Sequence, residues 1–187
     1  MRQHHEKAGA GVLVLALGMW VGTPGDARAQ EGATGGHRLS AYFTTHAALY
    51  QSDTQTMGGL GGGVGLRDTV DERFILQADL SYLTGIGNTA ALRVGAGMQW
   101  RRGSAYAPAA LLSLTTLMGD RLSFLTPEHP TPVVGPGLAL GLTLEPVRFD
   151  FHQTHLSLLQ LGVGVGTDGP VLGLCYTLGL LEVGATF

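Results

Sequence analysis

The chain has 187 residues, a formal net charge of −3, 44% hydrophobic residues, 30 glycines and a single cysteine, Cys175. A length of this order fits one domain, and the slight acidity excludes the basic face that a nucleic-acid partner requires. One cysteine cannot form an internal disulfide, so the fold rests on packing or on its solvent.

The first 29 residues stand apart. Met1–Lys7 carries Arg2, His4, His5 and Lys7 against Glu6, an apolar run covers Ala8–Val21, and a breaker stretch, Gly22-Thr23-Pro24-Gly25-Asp26, precedes Ala27-Arg28-Ala29. A charged head, a short apolar core and small residues two apart predict a secretory signal peptide over 1–29, cleaved after Ala29. The apolar run is shorter than the ~20 residues a membrane-spanning helix needs. Residues 30–187 are then one exported domain, with eight Arg, no Lys, seven Asp and five Glu. Its glycines lie inside apolar segments, a placement that disorder explains poorly.

No later stretch approaches 18 consecutive apolar residues, which rules out helical spans. Instead, eight segments alternate with period two: about 38–50, 58–67, 73–83, 89–101, 104–118, 133–145, 147–166 and 171–187. Asn, Asp, Gly and Pro dominate the breaks, as turns demand. On the second, Leu60, Val64 and Leu66 oppose glycines and Arg67; on the third, Leu76, Ala78, Leu80 and Tyr82 oppose Gln77, Asp79 and Ser81. The fourth sets Leu92, Val94, Ala96, Met98 and Trp100 against Arg93, Gly95, Gly97, Gln99 and Arg101. The sixth sets Leu138, Leu140, Leu142 and Leu144 against Gly137, Ala139, Gly141 and Thr143.

Periodicity alone does not say which face points inward. The signal peptide, the even number of strands of spanning length and an alternating pattern that runs to Phe187 favour a bilayer barrel, apolar face outward and small or polar face lining a narrow lumen. The expected fold is all-β: an eight-stranded antiparallel transmembrane β-barrel with both termini periplasmic, its sheet edges removed by closure. Trp100 and Tyr106, flanking Arg101-Arg102-Gly103, read as an interfacial girdle with a basic turn.

The signal sequence, the eight segments and the terminal aromatic resemble the small outer-membrane β-barrels of the OmpA/OmpX-like superfamily. The resemblance implies location in the cell outer membrane, contact with outer-membrane lipid, and recognition of the last strand by the barrel-assembly machinery. On this chain the matching assembly signal is Leu181, Val183, Ala185 and Phe187.

Four charged residues, Asp79, Arg93, Asp150 and Glu182, fall on the expected lumen face. Charges in so narrow a space must pair, because unpaired ones cost several kcal/mol. A structural network filling the barrel is the expected role, with an ion path or gate as the alternative. On the last strand, Leu172, Leu174, Tyr176, Leu178 and Leu180 would point inward by the same parity and plug the lumen.

A second candidate is F-D-F-H-Q-T-H-L-S-L-L-Q, residues 149–160. If Phe149, Phe151, Leu159, Leu161, Val163 and Val165 face lipid, parity puts Gln153, His155 and Ser157 there too; a β-bulge would turn His155 and Ser157 to the lumen instead. A lipid-facing His-x-Ser resembles the outer-membrane lipid A 3-O-deacylases. That resemblance implies Ser157 as nucleophile and His155 as base, with Asp168 in the following turn as the orienting acid. Leu158 stands where those enzymes have Asn.

His46, His129, His152 and His155 lack metal-ligand spacing, and no cofactor motif is present. The glycine run 59–65 has no strand-then-helix context for phosphate binding; its glycines read as small lumen positions opposite bulky Leu and Tyr. The expectation is a structural or partner-binding barrel of the cell envelope without an open pore, a possible subunit of a trans-envelope secretion or motility machine with envelope protein partners. The alternatives are the deacylase-like hydrolase and a soluble, lipocalin-like periplasmic carrier of an apolar ligand.

Overall fold

The computed structural model describes residues 36–100, 105–123, 131–151, 153–168 and 171–187. The expected signal segment 1–29 lies outside the described residues, as do Arg101, Arg102 and Gly103, His129, His152 and the middle of the 119–132 connection. Eight strands follow in order: β1 (His37–Gln51), β2 (Gln55–Val70), β3 (Phe74–Gly85), β4 (Asn88–Gln99), β5 (Ala109–Ser123), β6 (Thr131–Asp150), β7 (Thr154–Asp168) and β8 (Val171–Thr186). Each pairs antiparallel with its neighbour, and β1 pairs with β8, so the sheet closes into a barrel. One end carries His37 and Thr186; the other carries the β1–β2, β3–β4, β5–β6 and β7–β8 hairpins. They are called here the terminus end and the hairpin end.

Period-two alternation decides which side chains enter the barrel. On β3 the pattern is unbroken: Ile75, Gln77, Asp79, Ser81 and Leu83 are buried, while Phe74, Leu76, Ala78, Leu80 and Tyr82 are exposed. Glycine makes room inside. The Tyr42 ring lies where a Cβ on Gly65 would be, the His155 ring covers Gly184, and the Tyr50 ring covers Gly173. A large side chain from one strand thus folds over the bare backbone of the next, which lets an eight-stranded interior hold aromatic rings.

The β3–β4 hairpin is shorter than its neighbours, and β2 and β5 reach past its tip to pair with each other at Gln55↔Ser123, Thr56↔Leu122 and Met57↔Arg121. The wall at the hairpin end is therefore closed by six strands. Bringing β2 and β5 together requires a sharp departure from strand geometry. Gly58 (φ 121°) and Gly119 (φ 147°) supply it, each where a Cβ would sit about 2 Å from a backbone oxygen of the adjacent strand. The hairpin tip is tied in place by Asn88 N donating to Asp120 Oδ2 and Ile86 N donating to Gly58 O.

Three neighbouring strands break the alternation at one level. The register shifts on β6 between Leu144 and Val147, on β7 at Leu158, and on β8 where Thr45↔Leu181 is followed by His46↔Gly179. At each break two consecutive residues face away from the lumen between two that enter it. The sequences are Glu145-Pro146-Val147-Arg148, Ser157-Leu158-Leu159-Gln160 and Gly179-Leu180-Leu181-Glu182. Bulges re-aim side chains in this way. The consequence for β8 corrects the sequence reading: Leu172, Leu174, Tyr176, Leu178 and Leu180 point outward, while Glu182 still points in.

Candidate functional site: the interior polar cluster

The bulges aim five polar side chains, those of Glu145, Arg148, Ser157, Gln160 and Glu182, toward the terminus end of the lumen. At their centre is Arg67, carried by β2 and fully buried. Its guanidinium donates to Glu182 Oε1 (2.5 Å), Glu145 Oε1 (2.9 Å) and Gln77 Oε1 (2.6 and 3.2 Å), and it lies 5.3 Å from the Tyr42 ring centre. Both Glu182 oxygens are engaged elsewhere too. His155 Nε2 lies 3.1 Å from Oε1, and Gln160 Nε2 donates to Oε2 at 2.7 Å. Arg148 donates to Gln99 Oε1 at 2.7 Å and approaches Glu145 Oε2 at 3.6 Å. A planar, permanently charged guanidinium suits this position because it can serve several acceptors at once.

Two further groups flank the cluster. Asp79 and Arg93 are direct cross-strand partners on β3 and β4; Arg93 Nε donates to Asp79 Oδ2 at 2.9 Å, and the Tyr42 hydroxyl donates to the same oxygen at 3.0 Å. Tyr42 therefore bridges this pair to Arg67. Nearer the terminus end, Arg38 grips Asp150 with two hydrogen bonds, 3.0 and 3.1 Å. The interior set holds Arg38, Arg67, Arg93 and Arg148 against Asp79, Glu145, Asp150 and Glu182, so its formal charges balance. That balance is what allows so many ions in a space this dry.

The four charged residues expected in the lumen are all buried there, but not as one set. Asp79 and Arg93 pair with each other, Asp150 with Arg38, and Glu182 with Arg67. The sequence reading did not assign Arg67, Glu145 or Arg148 to the network. The sequence does carry a signal for Glu145 and Arg148: two polar residues enclosing a pair of apolar ones, as at the β7 bulge.

His155 and Ser157 are 1% and 0% exposed and face the lumen, not lipid, because the break at Leu158 reverses parity along β7. Asp168 pairs with Val171 at the hairpin end, eleven positions along β7 from Ser157, so the three are not brought together. The acid beside His155 is Glu182. Leu181, Val183, Ala185 and Phe187 are exposed on the outer face of β8.

At the hairpin end the interior changes character. Ala48, Tyr50, Met57, Leu83, Ala91 and Leu117 pack into one buried cluster that fills the lumen below the six-stranded closure. Between it and the ionic cluster, Ser113, Thr115, Thr143, Gly162 and Thr177 line a cavity of about 10 Å³, the size of one water site. No group of described residues has the composition of a metal site.

No family model matches the chain, and none of the curated proteins matches it. Solved structures of similar architecture include Ail of Yersinia pestis, in complex with the heparin analogue sucrose octasulfate (14% identity, TM-score 0.48, covering 81% of this chain and 99% of that one). The N-terminal β-barrel domain of Pseudomonas aeruginosa OprF is another (12%, 0.48, 79% and 97%), as is Neisserial surface protein A (11%, 0.48, 83% and 100%). At such scores the likeness adds nothing to what the strand pairing establishes directly: the chain forms a closed, eight-stranded, all-antiparallel β-barrel.

Proposed function

We propose that the protein is an integral barrel of the outer membrane with a sealed lumen, a structural and partner-binding component of the cell envelope. One observation carries this reading. Among the described residues, thirty-three large hydrophobic side chains are exposed on the outside, whereas the buried set is dominated by polar and charged groups. A soluble monomer rarely exposes contiguous apolar patches beyond a few hundred Å². In hydrocarbon the same distribution is favourable, and closure leaves no unpaired strand edge.

Two features support sealing. The apolar cluster around Tyr50, Met57 and Leu117 fills the hairpin end, and the balanced ion pairs cross-link the other. A carrier of apolar ligands would need an apolar chamber, and a hydrolase working on the lipid-facing wall would need Ser157 outside. With the hairpin connections short apart from that between β5 and β6, partners would meet the rims, that connection or the outer wall. A subunit role in a trans-envelope secretion or motility machine suits a compact anchor of this kind. The test is fractionation followed by electrophoresis with and without heating. Recovery in the outer-membrane fraction with heat-modifiable migration is expected; release into the periplasmic extract without detergent would refute the reading.

A further inference from the structure

The outer apolar belt is not of even height. On β3 it runs from Phe74 to Tyr82, nine residues, and on β2 it covers only Leu60–Leu66; on β4 it reaches from Ala90 to Trp100, and on β5 and the residues before it from Tyr106 to Met118. Polar groups bound β2 and β3 closely: Asp68 and Arg73 toward the terminus end, and Thr84 toward the hairpin end. Opposite, outward apolar side chains run from Leu172 along β8 to Phe187 just past it, and from Leu138 along β6 to Phe151 just past it, with a shorter stretch, Leu156–Val165, on β7 between them. At about 3.4 Å per residue and a strand tilt of about 40°, nine residues rise roughly 20 Å, whereas the β6 and β8 stretches rise roughly 30 Å or more, to either side of the ~25 Å usual for such belts.

The short β3–β4 hairpin and the turning-in of β2 at Gly58 truncate one wall, while the bulges on β6 and β8 add outward residues to the other. The short wall is also hollowed. Ala78 and Ala96 stand among Leu66, Leu76, Val94 and Leu112, leaving an open trough of about 510 Å³.

We propose that the β2–β3 wall holds a locally thinned bilayer, so that the protein imposes a thickness gradient on the lipid around it. This rests on the membrane-barrel reading above. A hydrophobic stretch shorter than the hydrocarbon core is matched by thinning of the lipid beside it, at a modest cost per Å of mismatch. Tilting of the barrel moves a belt up or down but does not change its height, so tilt cannot equalise the two walls. The lipid apposed to β2 and β3 is expected to be disordered and its chains splayed, with the Ala78–Ala96 trough receiving part of a chain.

Spin labels at each outward position of β3 and β8, placed one at a time in a Cys175→Ser background, test this in phosphatidylcholine vesicles with 18-carbon chains. The reading is the number of consecutive residues at which oxygen reaches the label better than a water-soluble nickel chelate. About nine are expected on β3 and about sixteen on β8, and a difference of three or more supports the gradient. A smaller difference overturns it, because the bilayer then keeps one thickness around the barrel. Nickel accessibility along both walls, or protein that does not float with the vesicles, would refute the membrane reading itself. Repeating the scan in 14-carbon vesicles is expected to leave the β3 window unchanged; a shorter β3 window there would also contradict the gradient.

Discussion

At the terminus end, the interior is held by directed contacts among Arg67, Glu145, Glu182, Arg148 and their amide and imidazole partners. At the hairpin end, Tyr50, Met57, Leu83 and Leu117 meet in an apolar cluster, with the Tyr50 hydroxyl donating to Val171 O and the Thr56 hydroxyl to Tyr50 O at its margin. The difference follows what each end must accomplish. Three bulged strands need their register held where alternation fails, and hydrogen bonds of fixed direction do that. Where β2 and β5 close over the short hairpin, the space narrows enough for apolar side chains to fill it without directional help. The charged end consequently depends on every partner being present, whereas the apolar end loses only the groups removed.

Substitutions can break this contrast. Glu182→Ala leaves Arg67 with one carboxylate fewer and removes the acceptor of His155 and Gln160. It should cost about 3–5 kcal/mol, read as a lowered urea midpoint for unfolding from vesicles. Combining it with Arg67→Met should cost clearly less than the sum of the two single changes, because the stranded charge is gone. At the other end, Leu117→Ala should cost about 2–4 kcal/mol in the same assay, with additive behaviour toward Glu182→Ala across the barrel. Gly58→Ala places a Cβ 2.0 Å from Ala48 O at a φ unsuited to L-residues, and about 1–3 kcal/mol is expected for it, with weakened closure over the hairpin. The smallest effect belongs to the exposed pair His37–Asp68 at 2.8 Å, where Asp68→Asn should change stability by less than about 1 kcal/mol and by nothing measurable in high salt.

The fold was legible wherever strands were regular. On β3 and β4, Leu80, Leu92 and Val94 against Asp79 and Arg93 announce both the faces and the pairing of the lumen charges. Parity counting failed where a bulge intervened. Carried upward from Glu182, it put Leu180 and Leu178 inside, and carried from Leu161 it put Ser157 and His155 outside; each count crossed a doublet of leucines that both face outward. The pairing of β2 with β5 was hidden for a different reason. Glycines at 58 and 119 look like strand ends in a sequence, whereas here they are corners through which the strands continue. Arg67 sat in plain view among glycines, but its role as hub depends on Glu145 and Glu182 arriving from strands far along the chain, which no local pattern discloses.

The barrel is proposed to be closed inside while embedded in lipid. The most direct measurement is the leakage of a small ionic dye from vesicles containing folded, heat-modifiable protein. Leakage no faster than from protein-free vesicles is expected at every protein-to-lipid ratio. A rate that climbs in proportion to the amount of folded barrel would contradict the claim and turn the interior charges into the lining of a path.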